Sequence, residues 1–562
     1  MKLDALPKLT AVLSLVLAFG AGPAAAQAPP SEHNHAMAAG APAPAQLLSD
    51  LGTYHRAITT ASPEAQTWFD QGLRLLYAFN LEEAQRSFEA AAKADPKCGM
   101  CFWGVAMSLG PHINLAALPD RTKAGHAAAQ KATALTAGAS PVEKALIAAV
   151  TRRFADPPPS DPAVQARFDK DYADAMRGVT RRFPDDLDAA ALFAEAMMDL
   201  GPWDLWTLDG KPQPGTDEII ATLERVLTKN PSHPGANHYY IHALEASPHP
   251  EKALAAADRI PGLIPGAAHI VHMPSHIYAR VGRWEDASEA NRKAIAVDRS
   301  YLAKAGPLGF YFMYTAHNYQ FLWSTALMEG RSAEALENAR AMVAQVPVEM
   351  LHQMPGFDFV FGYPIWTLVR FQRWDEILKE PAPPEGFPYA EGIWHAARGL
   401  AFTGLGRLDE AAAEHKKLEA IAAATPLEAV EGLSSARSLL AVAEGLLAGR
   451  MAAKKGHIDE AVIHLQNAVE TEDNLRYNEP PDWYYPVRQE LGAVLQAAGR
   501  AAEAQKVWED DLKRHPHNGW ALHGLAESLR AQKKEKEAAA VQAEAAKAWE
   551  KADVPASGGK GK

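Results

Sequence analysis

Two histidine pairs recur in this chain: His238 and His242 in NHYYIHALEAS, and His272 and His276 in HIVHMPSHIYARVG. An i, i+4 spacing places two side chains on one face of a helix, and imidazole is the commonest protein ligand for transition ions. His269 precedes the second pair by one helical turn, His317 falls one repeat later with Gln320 a turn beyond it, and Glu195 and Glu245 lie at matching levels. The interval from one pair to the next is the period of a helical-hairpin repeat, about 34 residues. On that period these histidines and glutamates form a stripe across four successive helices.

The chemistry follows from reach. First helices of neighbouring hairpins lie about 8–10 Å apart, so imidazoles on two of them can meet one ion at about 2.0–2.1 Å. Nitrogen with carboxylate suits Zn, Cu, Fe or Mn, and the stripe has no cysteine for a thiolate site. The expected arrangement has His238, His242, His272 and His276 around one ion. Glu195 or Glu245 is then a fifth ligand or general base, while His269 and His317 complete a second ion site or back the first. Pro274 lies inside the second pair and predicts a kink, which either aims these ligands or splays His269 and His272 from His276. An ion-free hydrogen-bonded network and a peptide-binding lining are the competing readings of the same residues.

The elements that must position this stripe are helical hairpins. From about residue 64, Trp68, Gly72, Leu75, Ala84, Phe88, Ala91 and Pro96 set the pattern. Small residues let two antiparallel helices approach, an aromatic fills the gap, and proline stops the second helix. The pattern returns at Tyr278, Gly282, Ala287 and Ala294, at Gly330 and Ala335, at Gly399, Gly406 and Ala411, and at Gly456 and Ala461. It closes with Gly492, Gly499, Ala504, Trp508 and Pro516, then Ala526 and Ala538. On these motifs the chain resembles the tetratricopeptide-repeat superfamily along nearly its whole length. Its WGVAMSLGPHIN, HYYIHALEAS, HMPSHIY and EPPDWYYPVR segments look like those of a group of exported bacterial repeat proteins. The resemblance implies an all-α, right-handed superhelical solenoid whose concave groove recruits a protein, peptide or small ligand. Within it Asn237, Ile241 and Leu244, then Val271, Ser275 and Tyr278, are expected to pack inward, leaving the histidine stripe on the open groove.

Five inserts rich in Pro, Gly and Asp interrupt the hairpins, at 155–162, 201–217, 347–359, 381–388 and 477–486. Long loops in repeat arrays gather on one face and often carry function. Trp203 and Trp206 in the second insert and Trp483, Tyr484 and Tyr485 in the fifth could wall a pocket or plug joins between repeats. Cys98 and Cys101 form CGMC at a helix start. Phe102 follows where haem attachment needs histidine, so the pair is a redox candidate, a local disulfide or two packed side chains. His33, His35 and Met37 form a weak copper-competent HNHAM segment.

Composition bounds the function class. Residues 1–26 read as a secretory signal: two lysines, an apolar run from Leu9 to Phe19, and Ala24–Ala26 for cleavage. The expected location is the periplasm, or secretion. Net charge is −12, and −13 without the two lysines and one aspartate of that signal, which argues against nucleic-acid binding. No later run suits a membrane span, and no GxSxG, P-loop or dinucleotide motif is present. Residues 27–50 and 551–562 read as tails flanking two solenoid stretches, 51–345 and 346–550. The function expected is an exported repeat scaffold with a metal-competent groove, with a metal-dependent hydrolase or oxidoreductase as the alternative.

Overall fold

The computed structural model describes residues 45–305, 311–352 and 354–555. The expected signal and the HNHAM segment lie outside them. Helical hairpins stack from Pro63 to Ala548, and the strands among the described residues are the two-residue pair Val430–Glu431 and Ser434–Ser435. The chain is therefore an all-α solenoid of tetratricopeptide-like hairpins with inserted loops.

The hairpin register is visible in the backbone. Phe79, Gly282, Gly330, Gln372, Gly406, Gly456, Gly499 and Lys533 have φ between 53° and 83°, and each stands two residues before the second helix of its hairpin. Glycine adopts that left-handed turn without the Cβ penalty, which explains why five of the eight are glycine. The packing logic of the motif also holds. An added Cβ at Gly72 or Gly104 would come within 2.7 and 2.3 Å of the Phe88 ring, and one at Gly492 or Gly524 within 2.6 and 2.3 Å of Trp508. One aromatic on a second helix thus fills the space left by glycines on the first helices of its own hairpin and the next.

What differs from an open solenoid is closure. The Trp284 indole donates to the carbonyl of Pro516 at 2.9 Å, and Trp520 donates to the carbonyl of Leu327 at 2.9 Å. Asp553 accepts from the backbone of Ser332 and Ala333 at 2.7 and 2.9 Å. At the other end Gly266 N–H donates to Asp50 O at 2.8 Å, and Arg56 pairs with Asp186 and Asp188. Both ends of the described chain pack against its middle, which narrows the concave side. The histidine stripe expected on an open groove is buried as a result: His238 and His272 are 0 % exposed.

Closure at Gly282 is testable. A Cβ there would stand 2.4 Å from the Pro516 carbonyl oxygen, whereas Gly456 has the same turn geometry with nothing within 4 Å. Gly456→Ala should cost only the left-handed penalty of about 1–2 kcal/mol. Gly282→Ala should lower Tm clearly further in calorimetry, and equal losses would contradict the closing contact.

Candidate metal centre

The Pro234–Leu244 helix starts with His233 accepting from Ala236 N–H at 3.1 Å and Pro234 at its first position. It presents His238 and His242 inward and ends at Glu245. The next first helix is broken into Ala268–His272 and Pro274–Arg280, with Met273 between. Pro274 lacks the N–H that a continuous helix needs. The break does not scatter the ligands. His269 and His272 stay with their rings stacked at 5.9 Å, and His272 Nε2 lies 2.8 Å from His276 Nε2. The third helix, Phe312–Met328, brings His317.

The six histidines fall into two sets of three. In the first, His238 Nε2 lies 3.1 Å from both His242 Nε2 and His269 Nε2. In the second, His272, His276 and His317 each offer a nitrogen within 4.8 Å of the others. This partition replaces the expected grouping of His238, His242, His272 and His276 about one ion: each i, i+4 pair anchors its own set, and a neighbouring turn or helix supplies the third ring.

Tautomers follow from what lies behind each ring. His238 Nδ1 donates to the Tyr77 carbonyl at 2.7 Å, and His242 Nδ1 to Glu245 Oε1 at 2.8 Å. His272 Nδ1 donates to Asn291 Oδ1 at 2.7 Å; the Asn291 amide nitrogen is turned to the Ala287 carbonyl, which assigns the oxygen. His317 Nδ1 faces Gln320 Oε1 at 3.1 Å, while the Gln320 amide nitrogen donates to Tyr363 Oη. His276 Nδ1 sits 2.6 Å from Glu245 Oε2 and 3.3 Å from Glu479 Oε2, an ion-pair contact off the line of an ideal hydrogen bond. Five of six Nδ1 atoms therefore face acceptors, which leaves Nε2 bare on those of the five rings that are neutral. The exception is His269, whose Nδ1 is buried without a partner.

Charge agrees with that assignment. Burial, then the neighbouring histidines, hold His238, His269 and His272 well below the usual imidazole range, and burial with His276 lowers His317 to about 4. These rings are neutral. Burial opposes charge on His276 as well, but Glu245 and Glu479 overcome it and raise the ring to about 9. Glu245 is likewise opposed by burial, and His276 and His242 bring it down to about 2. A carboxylate at a helix C-terminus meets the negative end of the helix dipole; here two imidazoles from two sets hold it there.

Glu245 thus braces rings of both sets, and with His276 and Glu479 it also forms a third group of side chains close enough together to hold an ion. Glu195 joins neither set. Its carboxylate lies 3.8 Å from Arg153, which also binds Asp199 at 2.7 Å and the Pro111 carbonyl. That buried guanidinium is what draws Glu195 away. Burial raises both Glu195 and Asp199. The carboxylate on the cavity wall beside the histidines is Glu479, which neither Glu195 nor Glu245 matches. It comes from the fifth insert, several hairpins further along the chain, and is held by Tyr477. The EPP turn was legible as a loop, but nothing in its spacing tied it to His276.

A cavity of about 540 Å³ opens on the site, lined by His242 and His269 of the first set and His276 and His317 of the second. His238 and His272 lie behind. Four of the five inserts reach this cavity; the 381–388 insert does not, its Phe387 stacking on His352 instead. Trp203 packs edge-on to His242 at 5.7 Å, whereas Trp206 plugs a join by donating to the Ala243 carbonyl. Trp483 and Tyr484 pack with Trp366 in the core rather than on the cavity. Phe79 covers the first set, 4.0 Å from the His112 ring and 4.6 Å from His238. It holds the left-handed turn position that most other hairpins give to glycine, and such strain persists where surroundings fix it, commonly at functional sites. Cys98 and Cys101 are joined in a buried disulfide, Cys98 capping the Gly99–Leu109 helix.

No protein-family model matches the chain, and no curated protein matches it. Among solved structures it is similar to the human IFIT1 dimer with m7Gppp-AAAA, at 12 % identity and TM-score 0.35 over 86 % of this chain and 96 % of that one. It is also similar to the human IFIT1 dimer with PPP-AAAA, at 12 % identity and TM-score 0.34 over 76 % and 87 %. At that level the likeness carries no argument, and m7Gppp-AAAA and PPP-AAAA belong to those structures. The hairpin register defines the class of this one. No helix among the described residues is long and apolar enough to cross a membrane.

Burial makes a direct prediction. In chelator-treated native protein, diethyl pyrocarbonate should modify the exposed rings of His249, His457 and His517. Peptide mapping should find His238 and His272 unmodified until the chain is unfolded. Native-state adducts on either would contradict the enclosed site.

Proposed function

We propose that this protein is an exported metalloprotein that holds two transition ions inside a closed tetratricopeptide-like solenoid. Each ion is held by three imidazole Nε2 atoms, His238, His242 and His269 for one and His272, His276 and His317 for the other. The observation that carries this is the 3.1 Å approach of the His238 and His242 Nε2 atoms, whose Nδ1 sides are committed to the Tyr77 carbonyl and Glu245, with His269 Nε2 3.1 Å from His238 and His276 Nε2 2.8 Å from His272. Facing lone pairs repel unless a cation or an extra proton lies between them. Nitrogens about 2.0–2.1 Å from a tetrahedral ion stand about 3.3 Å apart, close to this spacing. Neutral imidazole is the form an ion requires, and all-nitrogen sets favour Zn, Cu, Fe or Ni over Mg or Ca.

Three protein ligands with a cavity on the fourth side is the arrangement of a reactive ion, whereas structural zinc is closed by four. That favours ligand or substrate chemistry at the ions over a purely structural role. The burial of the histidines behind the cavity wall speaks against a peptide laid along an open groove.

Elemental analysis of protein purified without chelator or tag should give two ions per chain. His238→Ala should retain one, and Glu245→Ala, which strips the brace from both sets, should weaken both by about 10–100-fold. A chain that binds no transition ion after reconstitution, or a His238→Ala protein that still binds two, would contradict the reading.

A further inference from the structure

The two sets are not separate sites. Ring centroids across the divide, His242 to His276 at 6.0 Å and His269 to His272 at 5.9 Å, lie at the long end of the 4.7–6.2 Å found within a set, so the two sets are in direct contact. One carboxylate, Glu245, braces both, one oxygen to each. Each set also turns two of its three rings to the same cavity and keeps the third behind. The open sides of both ions therefore face one shared space.

Charge then defines what enters that space. Two divalent ions held by neutral imidazoles bring four positive charges into a buried region, and the carboxylates in contact with the rings are Glu245 and Glu479. Arg280, 3.8 Å from Glu479, adds positive charge. An uncompensated buried charge is strongly unfavourable, so the remaining positions call for anionic donors. Away from the ions one stretch of wall carries Asp161, Asp169 and Asp199, and another is apolar, with Met313, Met342, Val346, Leu351, Phe357 and Phe359. A volume of about 540 Å³ is that of a small-molecule pocket.

Resting on the metal reading above, we infer that the two ions form one coupled pair that binds a single bridging anion, and that the ligand class is an apolar-bodied organic acid whose anionic oxygen takes the bridge. Carboxylates and phenolates share that chemistry. Hydroxide from water fills the bridge when no organic ligand is bound.

The test uses the full chain loaded with two Cu(II) ions, the loading first verified by elemental analysis so that failure of the metal reading is seen separately. A bridged pair couples its two unpaired electrons, so the EPR signal should account for only a small minority of the bound copper. Benzoate and phenol are then titrated separately while the visible copper bands are followed. One or both should saturate at one molecule per two copper ions, and whichever does identifies the acid. Val346→Trp, which fills the apolar wall, should weaken that binding at least tenfold while leaving azide, a small bridging anion, unaffected. A full EPR signal from both ions would overturn the coupled pair. So would saturation at one molecule per copper ion. Silence of both acids while azide binds, or equal loss of azide and organic acid in Val346→Trp, would overturn the ligand class.

Discussion

Imidazole lone pairs brought face to face in a dry interior are a source of repulsion, and the fold around these six histidines is arranged to keep them so. Five of the Nδ1 sides, all but that of His269, are fastened by a backbone carbonyl, two side-chain amide oxygens and the two oxygens of one glutamate. Each fastening removes the freedom to turn the ring and relieve the contact. Burial disfavours the extra proton on His238, His269, His272 and His317, whereas His276, set between two carboxylates, keeps it. A buried polar cluster of this kind costs stability unless it is fully satisfied, and an ion in each set is the simplest way to satisfy it.

The rest of the architecture follows from enclosing that cluster. A repeat solenoid ordinarily offers an open concave face. Here the described ends fold back on the middle, through Asp50 and Arg56 on one side and Pro516, Trp520 and Asp553 on the other. Inserts fill the remaining gaps, bringing Trp203 and Glu479 to the rings. Phe79 gives up an easy glycine turn to lie over His238, so local backbone cost is accepted where it seals the site.

Much of this was legible in the residues. The hairpins were readable because Gly72 with Phe88 and Gly492 with Trp508 are contacts within a hairpin, encoded by short spacing. The six histidines were readable because i, i+4 pairs at the repeat period must share a face. Their partition was not, because it depends on where the break at Met273–Pro274 aims His269 and His272. Glu195 sits at the right level on its helix, yet Arg153, from another hairpin, takes its charge. Glu479 was invisible for the converse reason: its role depends on closure between segments far apart in the chain, which no local pattern records. Burial of the stripe is a consequence of the same closure.

Anomalous diffraction from crystals of the metal-reconstituted protein, collected at the absorption edge of the ion, tests the central claim most directly. The account predicts two peaks, one about 2.0–2.1 Å from Nε2 of His238, His242 and His269 and the other at the same distance from His272, His276 and His317. Well-ordered rings with no anomalous density between them, or an ion bound elsewhere on the chain, would contradict it.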